Sequence, residues 1–461
     1  MSKLRRLFPA LVFLAAMAGT FVLGQAIRQR QPFDPSSLPA PTLPEPPPIP
    51  EDIESPNVFV SPERLVARLE DPELRLVDAR SSGRCAEERI AGAACGDVEA
   101  LAARCGDAAD LLNCIRRSLG DLGLDGSETV VLYGEGGEAE DHLGLGRLYW
   151  WMDWAGVAEI EILYDGAEGW RRIGGPVEQG GSSPTPADFT AAPRLAPAAT
   201  AEWVYEQFGP GGAQALDLRD GVDWTTVGYR APEVFSAGHI PYALPYDVRS
   251  WLDGGRWPTP REGWGRFLEL GPREGTYLTP GTEIVLYGEG PETDQLGLAY
   301  LLLRHMGIDV RVFAGGWDEW TADPDRPVVR VASAAEVAEA LGELVHREVG
   351  ATAPMPFYDL REVRDHGRGY LPGSEVLPWP DFPSGLEASL EQTWSGIDRR
   401  MTPIVLYCYG RDCIRSWEAS VVAARSGFLD IRWLREGVEG WDAAGLPLWV
   451  DEGASGAGSD P

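Results

Sequence analysis

One frame recurs three times in this chain, and any fold it adopts has to accommodate that frame three times over. It reads VVLYGEGGEAEDHLGLGRLYW from Val130, IVLYGEGPETDQLGLAYLLL from Ile284 and IVLYCYGRDCIRSWEASVVAARSG from Ile404. Each copy opens on a short apolar, β-branched run, the pattern of a buried strand, and continues after a loop into a segment of helical composition. Aligning the copies on Leu-Tyr places Gly134, Gly288 and Cys408 at one position. The spacing persists downstream, with 19 residues from Gly288 to Gly307 and 19 from Cys408 to Gly427. Each unit closes on a tryptophan, Trp170, Trp320 or Trp441. Each also has an upstream strand ending Asp-x-Arg, at Asp78/Arg80, Asp217/Arg219 and Asp359/Arg361. Solenoid repeats have periods of roughly 20–50 residues, and this one is domain-sized. A chain of 461 residues suits about three domains.

The third loop carries the chemistry. A strand that turns tightly into a helix start aims backbone N–H groups and the positive end of the helix dipole at one point. Cys408 heads the loop Cys408-Tyr409-Gly410-Arg411-Asp412-Cys413. A thiol placed there is predicted to have a lowered pKa and to be partly thiolate near neutral pH. The other two loops read Gly134-Glu135-Gly136 and Gly288-Glu289-Gly290. They lack the nucleophile and set a carboxylate beside the empty position, so neither is expected to run thiol chemistry; the plainer reading is that they only close the turn. Asp141, Asp294 and Asp412 stand where helix N-caps are expected. The closing tryptophans read as core plugs, and the Asp-x-Arg pairs as structural ion pairs near the sheet ends.

The Asp-x-Arg strand, the Gly-His-Ile-Pro turn at 238–241, Gly-Tyr-Leu-Pro-Gly at 369–373, the Cys-headed loop and the closing Gly-x-x-x-Trp together resemble rhodanese-like domains. The resemblance covers nearly all of residues 57–450 as three tandem copies. It implies an α/β architecture, each copy a central parallel sheet flanked by helices, and a loop cysteine that cycles through a persulfide in sulfur transfer. Cys408 would be catalytic, with Arg415, Asp359 and Arg361 supporting it. The loop departs from the family at its sixth position, which is commonly Arg and here is Cys413; Asp412 adds a negative charge that argues against thiosulfate as donor.

Residues 1–30 read as a signal anchor or a cleaved signal peptide. Lys3, Arg5 and Arg6 precede an uncharged, mainly apolar stretch from Leu7 to Ala26, long enough to span a bilayer. Either form exports the rest of the protein. Residues 31–56 are a Pro-rich spacer, extended at ~3.1 Å per residue where it is polyproline II, or else a disordered tether. The first domain, 57–176, holds Cys85, Cys95, Cys105 and Cys114. Four cysteines in an exported chain read as two disulfides of three open connectivities, in preference to zinc, whose paired-Cys spacing is absent. A linker at 177–197 leads to a second domain, 198–327, without cysteine. There His239 is expected to be a turn hydrogen-bonder, and Trp251 to Pro260 an aromatic loop packed at the surface. The third domain is 328–450, with a tail at 451–461.

Forty basic against 71 acidic residues, net −31, argue against nucleic acid and anionic membrane surfaces as partners, the membrane being met only through the N-terminal segment. No cofactor or metal is expected. Three function classes stay open: sulfur transfer through Cys408 between a small sulfur donor and a thiol acceptor or thioredoxin-like protein; thiol–disulfide exchange at Cys408 and Cys413; and a non-catalytic binding or scaffold role led by the two acidic copies. The first is the reading adopted. Phosphatase or arsenate chemistry would want a larger, Arg-rich cradle without Asp412.

Overall fold

The computed structural model describes residues 47–451 except 54, 55, 57, 106–109, 140, 210, 220–231, 253, 270–277, 279 and 348. The N-terminal segment, most of the Pro-rich spacer and the tail past Asp451 therefore lie outside the described residues. Among the described residues no helix is long and apolar enough to cross a membrane.

Three parallel sheets follow one another along the chain, each flanked by helices. The first has the order Phe59–Val60, Glu159–Leu163, Thr129–Tyr133, Leu74–Asp78, Ala94–Cys95. The second runs Val310–Phe313, Ile284–Tyr287, Gln214–Asp217, Leu244–Pro245, and the third Val328–Val331, Asp430–Leu434, Ile404–Tyr407, Phe357–Asp359, Glu375–Val376. The apolar runs before the loops are the central strands. They read as continuous Val/Ile/Leu because both faces of a parallel sheet are covered, and Ile404, Val405, Leu406 and Tyr407 are all at most 1% exposed.

Register places the loop chemistry next to the Asp-x-Arg strand. Tyr133 pairs with Asp78, Tyr287 with Asp217 and Tyr407 with Asp359. The residue after each tyrosine heads the loop, so all three loops leave the sheet beside the arginine two residues past the aspartate. The closing tryptophans are fully buried. Each donates its indole N–H to a carbonyl just beyond its helix: Trp170 to Pro176 at 3.1 Å, Trp320 to Pro327 at 3.0 Å and Trp441 to Pro447 at 2.9 Å.

The copies touch through the helices that follow their loops. In the first two, Asp141–Ala155 packs on Gln295–His305, with backbone meeting backbone at Gly146 and Gly297. Asp294 holds the N-cap position predicted for it, but its side chain makes no cap bond; the carboxylate is drawn across to the Arg147 guanidinium of the first copy. In the third copy Trp417 stacks on Tyr242 of the second, ring centroids 3.9 Å apart. The 251–260 loop is not surface packing either. Trp251 and Trp257 are buried, and Trp257 packs tilted against His142 of the first copy, ring centroids 4.2 Å apart, because an aromatic loop beside a second domain removes more apolar surface from water there. His239 is wholly buried and bonds the Phe235 carbonyl through Nδ1 at 2.9 Å; burial takes its pKa down to about 3.

In the first copy disulfides join Cys85 to Cys95 and Cys105 to Cys114. The 177–197 stretch is laid back along this domain. Val177–Glu178 pairs antiparallel with Arg89–Ile90, and Arg116 grips the Ala191 carbonyl at 2.5 Å and covers the Phe189 ring.

Candidate active site

The third loop leaves the strand Ile404–Tyr407 and enters the helix Arg415–Arg425. What fixes it is the helix that closes the copy. The N–H groups of Val438 and Glu439 donate to the carbonyls of Cys408 and Tyr409, both at 3.1 Å. The first copy repeats this with Ala167 on Gly134 and Glu168 on Glu135, and the second with Trp317 on Gly288 and Asp318 on Glu289. Gly437 makes the approach feasible. Its φ is +55°, and a Cβ there would lie 2.7 Å from the Tyr409 carbonyl, so glycine is the residue that fits.

Cys408 is 1% exposed and disulfide-bonded to Cys413. The turn between them is closed by Cys413 N–H donating to the Gly410 carbonyl at 3.0 Å. Ser416, in the first turn of the following helix, aims its hydroxyl at Cys408 Sγ, 3.7 Å away, while its oxygen accepts the Trp433 indole N–H at 3.0 Å. Both side chains are buried. A hydroxyl so polarised is a built donor to any negative charge that develops on this sulfur.

Carboxylates and cations alternate around the loop. Arg411 and Asp412 are exposed, and Arg411 lies 3.7 Å from Glu436. Asp412 does not cap the helix, whose N-cap is Ile414; two residues too early in the chain, it falls short of the helix start. Glu439 stands over Gly410, where a Cβ would collide with its carboxylate. Burial, then Asp412 and Glu436, push its pKa up. Burial, helped by nearby Arg411 and opposed by Glu436, takes the pKa of Arg435 down to about 10.

Tyr409, half-buried, donates its hydroxyl to Asp365 at 2.8 Å. Its ring centroid is 5.8 Å from the guanidinium carbon of Arg361 and 5.8 Å from that of Arg415. Arg415 itself bonds Glu362 at 3.2 Å. Asp359 is wholly buried, held by Arg361 and by His366 Nδ1 at 2.8 Å. Burial would raise its pKa, but Arg361 and His366 outweigh that and keep it below the ordinary carboxylate value.

The structure thus gathers Cys408, Cys413, Tyr409, Arg361, Asp359 and Arg415 around one loop, and leaves Arg411 and Asp412 at its rim. Sequence reasoning missed Ser416, Trp433, Glu439, Asp365 and His366. Ser416 carried a local signal, a hydroxyl one helical turn past the loop; the other four come from separate elements. At the first loop Glu135 bonds Arg80 at 2.6 Å and Arg171 at 2.7 Å. Burial opposes its charge, yet these two arginines hold its pKa below the ordinary value. Glu289 lies 3.9 Å from Arg219.

The sequence is 30% identical over 287 residues to the thiosulfate sulfurtransferase of Azotobacter vinelandii, an overlap of 60% of this chain and 99% of the relative. It is 26% identical over 286 residues to the 3-mercaptopyruvate sulfurtransferase of Escherichia coli strain K12, covering 59% of this chain and 97% of that one. The crystal structure of SseA from Escherichia coli aligns with a TM-score of 0.45 at 21% identity, over 57% of this chain and 99% of that chain. The family model of the rhodanese-like domain matches residues 61–173, 200–323 and 336–444. Those three stretches make up well over half of the sequence, one on each parallel sheet, and the chain belongs to the rhodanese-like domain family.

Proposed function

We propose that the chain is a sulfurtransferase whose working site is the third copy, with Cys408 carrying sulfane sulfur as a persulfide. The observation that carries this reading is the unique thiol position. Of three loops held by the same pair of backbone bonds, one begins with a cysteine, and its sulfur has a polarised hydroxyl, Ser416, directed at it. The similarity to thiosulfate and 3-mercaptopyruvate sulfurtransferases supports the reaction class.

The cycle starts from the disulfide. An external dithiol, a thioredoxin-like protein by class, gives two electrons and two protons to the Cys408–Cys413 bond and is itself oxidised. The Cys408 thiolate then attacks the sulfane sulfur of a small donor. The new S–S bond forms as the donor's bond to that sulfur breaks, and the leaving group departs with the electron pair. Ser416 donates to the resulting Cys408 persulfide anion. An acceptor thiolate attacks the outer sulfur, takes it, and returns Cys408 as thiolate. In this reading the domains work outside the cytoplasm, held by the N-terminal segment; the disulfides at Cys85–Cys95 and Cys105–Cys114 support an oxidising compartment.

Intact-mass measurement of the exported region, with reductant and then with thiosulfate or cysteine persulfide, tests this. A gain of one sulfur on Cys408, absent in Cys408→Ser, is expected. Gain of sulfur in the Cys408→Ser protein would move the site elsewhere.

A second reading has one observation behind it, the bond between Cys408 and Cys413. In thiol–disulfide exchange a substrate would be oxidised at the expense of this bond, with Cys413 resolving the mixed disulfide. The same spectra separate the two: reversible loss of two hydrogens without sulfur uptake belongs to this second chemistry.

A further inference from the structure

The three Asp-x-Arg arginines are held alike and differ at a single nitrogen. In each, Nε donates to the aspartate at 2.9 Å. In each, Nη2 bonds the other carboxylate oxygen and also a backbone carbonyl: Glu88 for Arg80, Gly238 for Arg219 and Gly369 for Arg361, at 2.6, 2.6 and 2.7 Å. The remaining nitrogen, Nη1, points to the second loop position. Arg80 Nη1 meets the Glu135 carboxylate at 2.6 Å, and Arg219 Nη1 faces Glu289 at 3.9 Å. Arg361 is 0% exposed, and its Nη1 has no hydrogen-bond partner.

The cause is one substitution inside the repeat. Where the first two copies have glutamate, the third has Tyr409, an aromatic ring whose hydroxyl is engaged with Asp365 instead. A buried guanidinium N–H without an acceptor is costly, and nature leaves few of them. This one lies beside the residue that follows the nucleophile, and Asp359, its paired carboxylate, is shared with His366.

We propose that Arg361 Nη1 is the anchor for a carboxylate on the small thiol or persulfide that exchanges sulfur with Cys408. The first copy shows that a carboxylate on a short flexible arm from the second loop position reaches this nitrogen. The ligand is therefore a small molecule that carries both a sulfur for Cys408 and a carboxylate for Arg361. It enters past Tyr409, a half-buried ring whose hydroxyl is held by Asp365 and by the Glu362 backbone, and Arg415, its guanidinium carbon 5.8 Å from the ring centroid, adds positive charge. The two Cys-less copies hold the same position closed with a carboxylate of their own. This assignment rests on Cys408 as the working sulfur, and makes Arg361 a specificity-determining residue.

The test measures anion preference at Cys408 without any sulfur transfer. The full chain is reduced, freed of reductant and alkylated with iodoacetate, an anion, or with neutral iodoacetamide, and the Cys408 peptide is quantified by mass. Tyr409→Glu restores the loop carboxylate of the other copies, and Tyr409→Gln puts a neutral acceptor on Nη1. Both should lower the iodoacetate-to-iodoacetamide rate ratio at least ten-fold, while Tyr409→Phe keeps the wild-type ratio. A wild-type ratio in Tyr409→Gln would overturn the anchor, since a drop confined to Tyr409→Glu is charge repulsion alone. An equal drop in Tyr409→Phe would overturn it too. A chain that shows the expected ratios but takes up no sulfur would refute the transfer reaction and leave the anchor standing.

Discussion

Gly146→Ala sets two known effects of opposite sign against each other. In an ordinary helix the change stabilises by about 1 kcal/mol, because alanine is the better helix former. Here a Cβ on Gly146 would lie 2.5 Å from both the Cα and the N of Leu298, and 2.7 Å from the carbonyl carbon of Gly297. Carbon atoms pack at about 3.5–4.0 Å, so the helices Asp141–Ala155 and Gln295–His305 have to part by roughly 1 Å. All three obstructing atoms are backbone, and none can turn aside. A gap of that size forfeits up to about half of the dispersion contact along the seam, and overpacking costs about 1–3 kcal/mol. The seam also holds the Tyr300 hydroxyl on Asp153 and Arg147 on the Glu292 carbonyl at 2.7 Å, which move with the backbone. We therefore expect a net loss of about 2 kcal/mol, which for two domains unfolding together is a fall in Tm of about 4–8 °C. Differential scanning calorimetry reads it. Gly265→Ala is the counterpart: it too lies within a helix, yet its nearest obstacle is Ile49 Cδ1 at 3.8 Å, and its Tm should rise. A Gly146→Ala chain as stable as wild type or more so would show that the two helices are not seated on each other.

Three further outcomes are expected. Cys413→Ala should accept sulfur without prior reductant and over-oxidise more readily at Cys408; unchanged reductant dependence by intact mass would show that the pair does not govern loading. Ser416→Ala removes the hydroxyl from Cys408 Sγ and should raise the pH midpoint of Cys408 alkylation in the reduced chain by about one unit, the size of one hydrogen bond to a charged group, whereas an unmoved midpoint refutes its role. Glu135 has a folded pKa below its unfolded value, so its contribution is present above about pH 4.5 and is lost as pH falls through the folded value; Glu135→Gln should flatten the acid side of the pH–stability curve of the first domain, and a curve as steep as wild type would refute the pairing with Arg80 and Arg171.

How much of this was legible depended on whether a residue acts inside its own segment. The apolar runs, the loops, the Asp-x-Arg pairs and the tryptophan plugs repeat at fixed offsets, and repetition separates them from chance. Tyr133, Tyr287 and Tyr407 pair with Asp78, Asp217 and Asp359 across strands far apart in sequence, but three copies carry the same two motifs, so their juxtaposition could be anticipated. Residues present in a single copy gave no such purchase. His366 reaches Asp359 only because a short helix folds back over the strand end, and Trp433 reaches Ser416 from the neighbouring strand. The caps failed for a related reason. Asp294 stands at an N-cap position, but a buried arginine across a domain boundary is a stronger partner for a carboxylate than an exposed backbone N–H, and that arginine belongs to another copy.

The same contrast explains what the Cys-less copies do for the third. The helix after each loop must both present the loop and meet a neighbour. In the first two copies glycines let those helices meet backbone to backbone, and Leu298 and Leu301 are sealed from water. The third copy has Trp417 nine residues past its loop head, as Gly297 is nine past Gly288. A tryptophan cannot support so close a crossing. It stacks instead on Tyr242 of the second copy, while a Cβ on Gly209 would lie 2.7 Å from Val421 Cγ1, and Arg425 bonds the Phe208 carbonyl at 2.7 Å. The helix that carries Ser416 toward Cys408 is thus seated on the second domain, which is itself locked to the first. In the two copies without the cysteine the loop helices pack on each other, whereas the helix beside Cys408 is seated on Phe208, Gly209 and Tyr242 of the second domain.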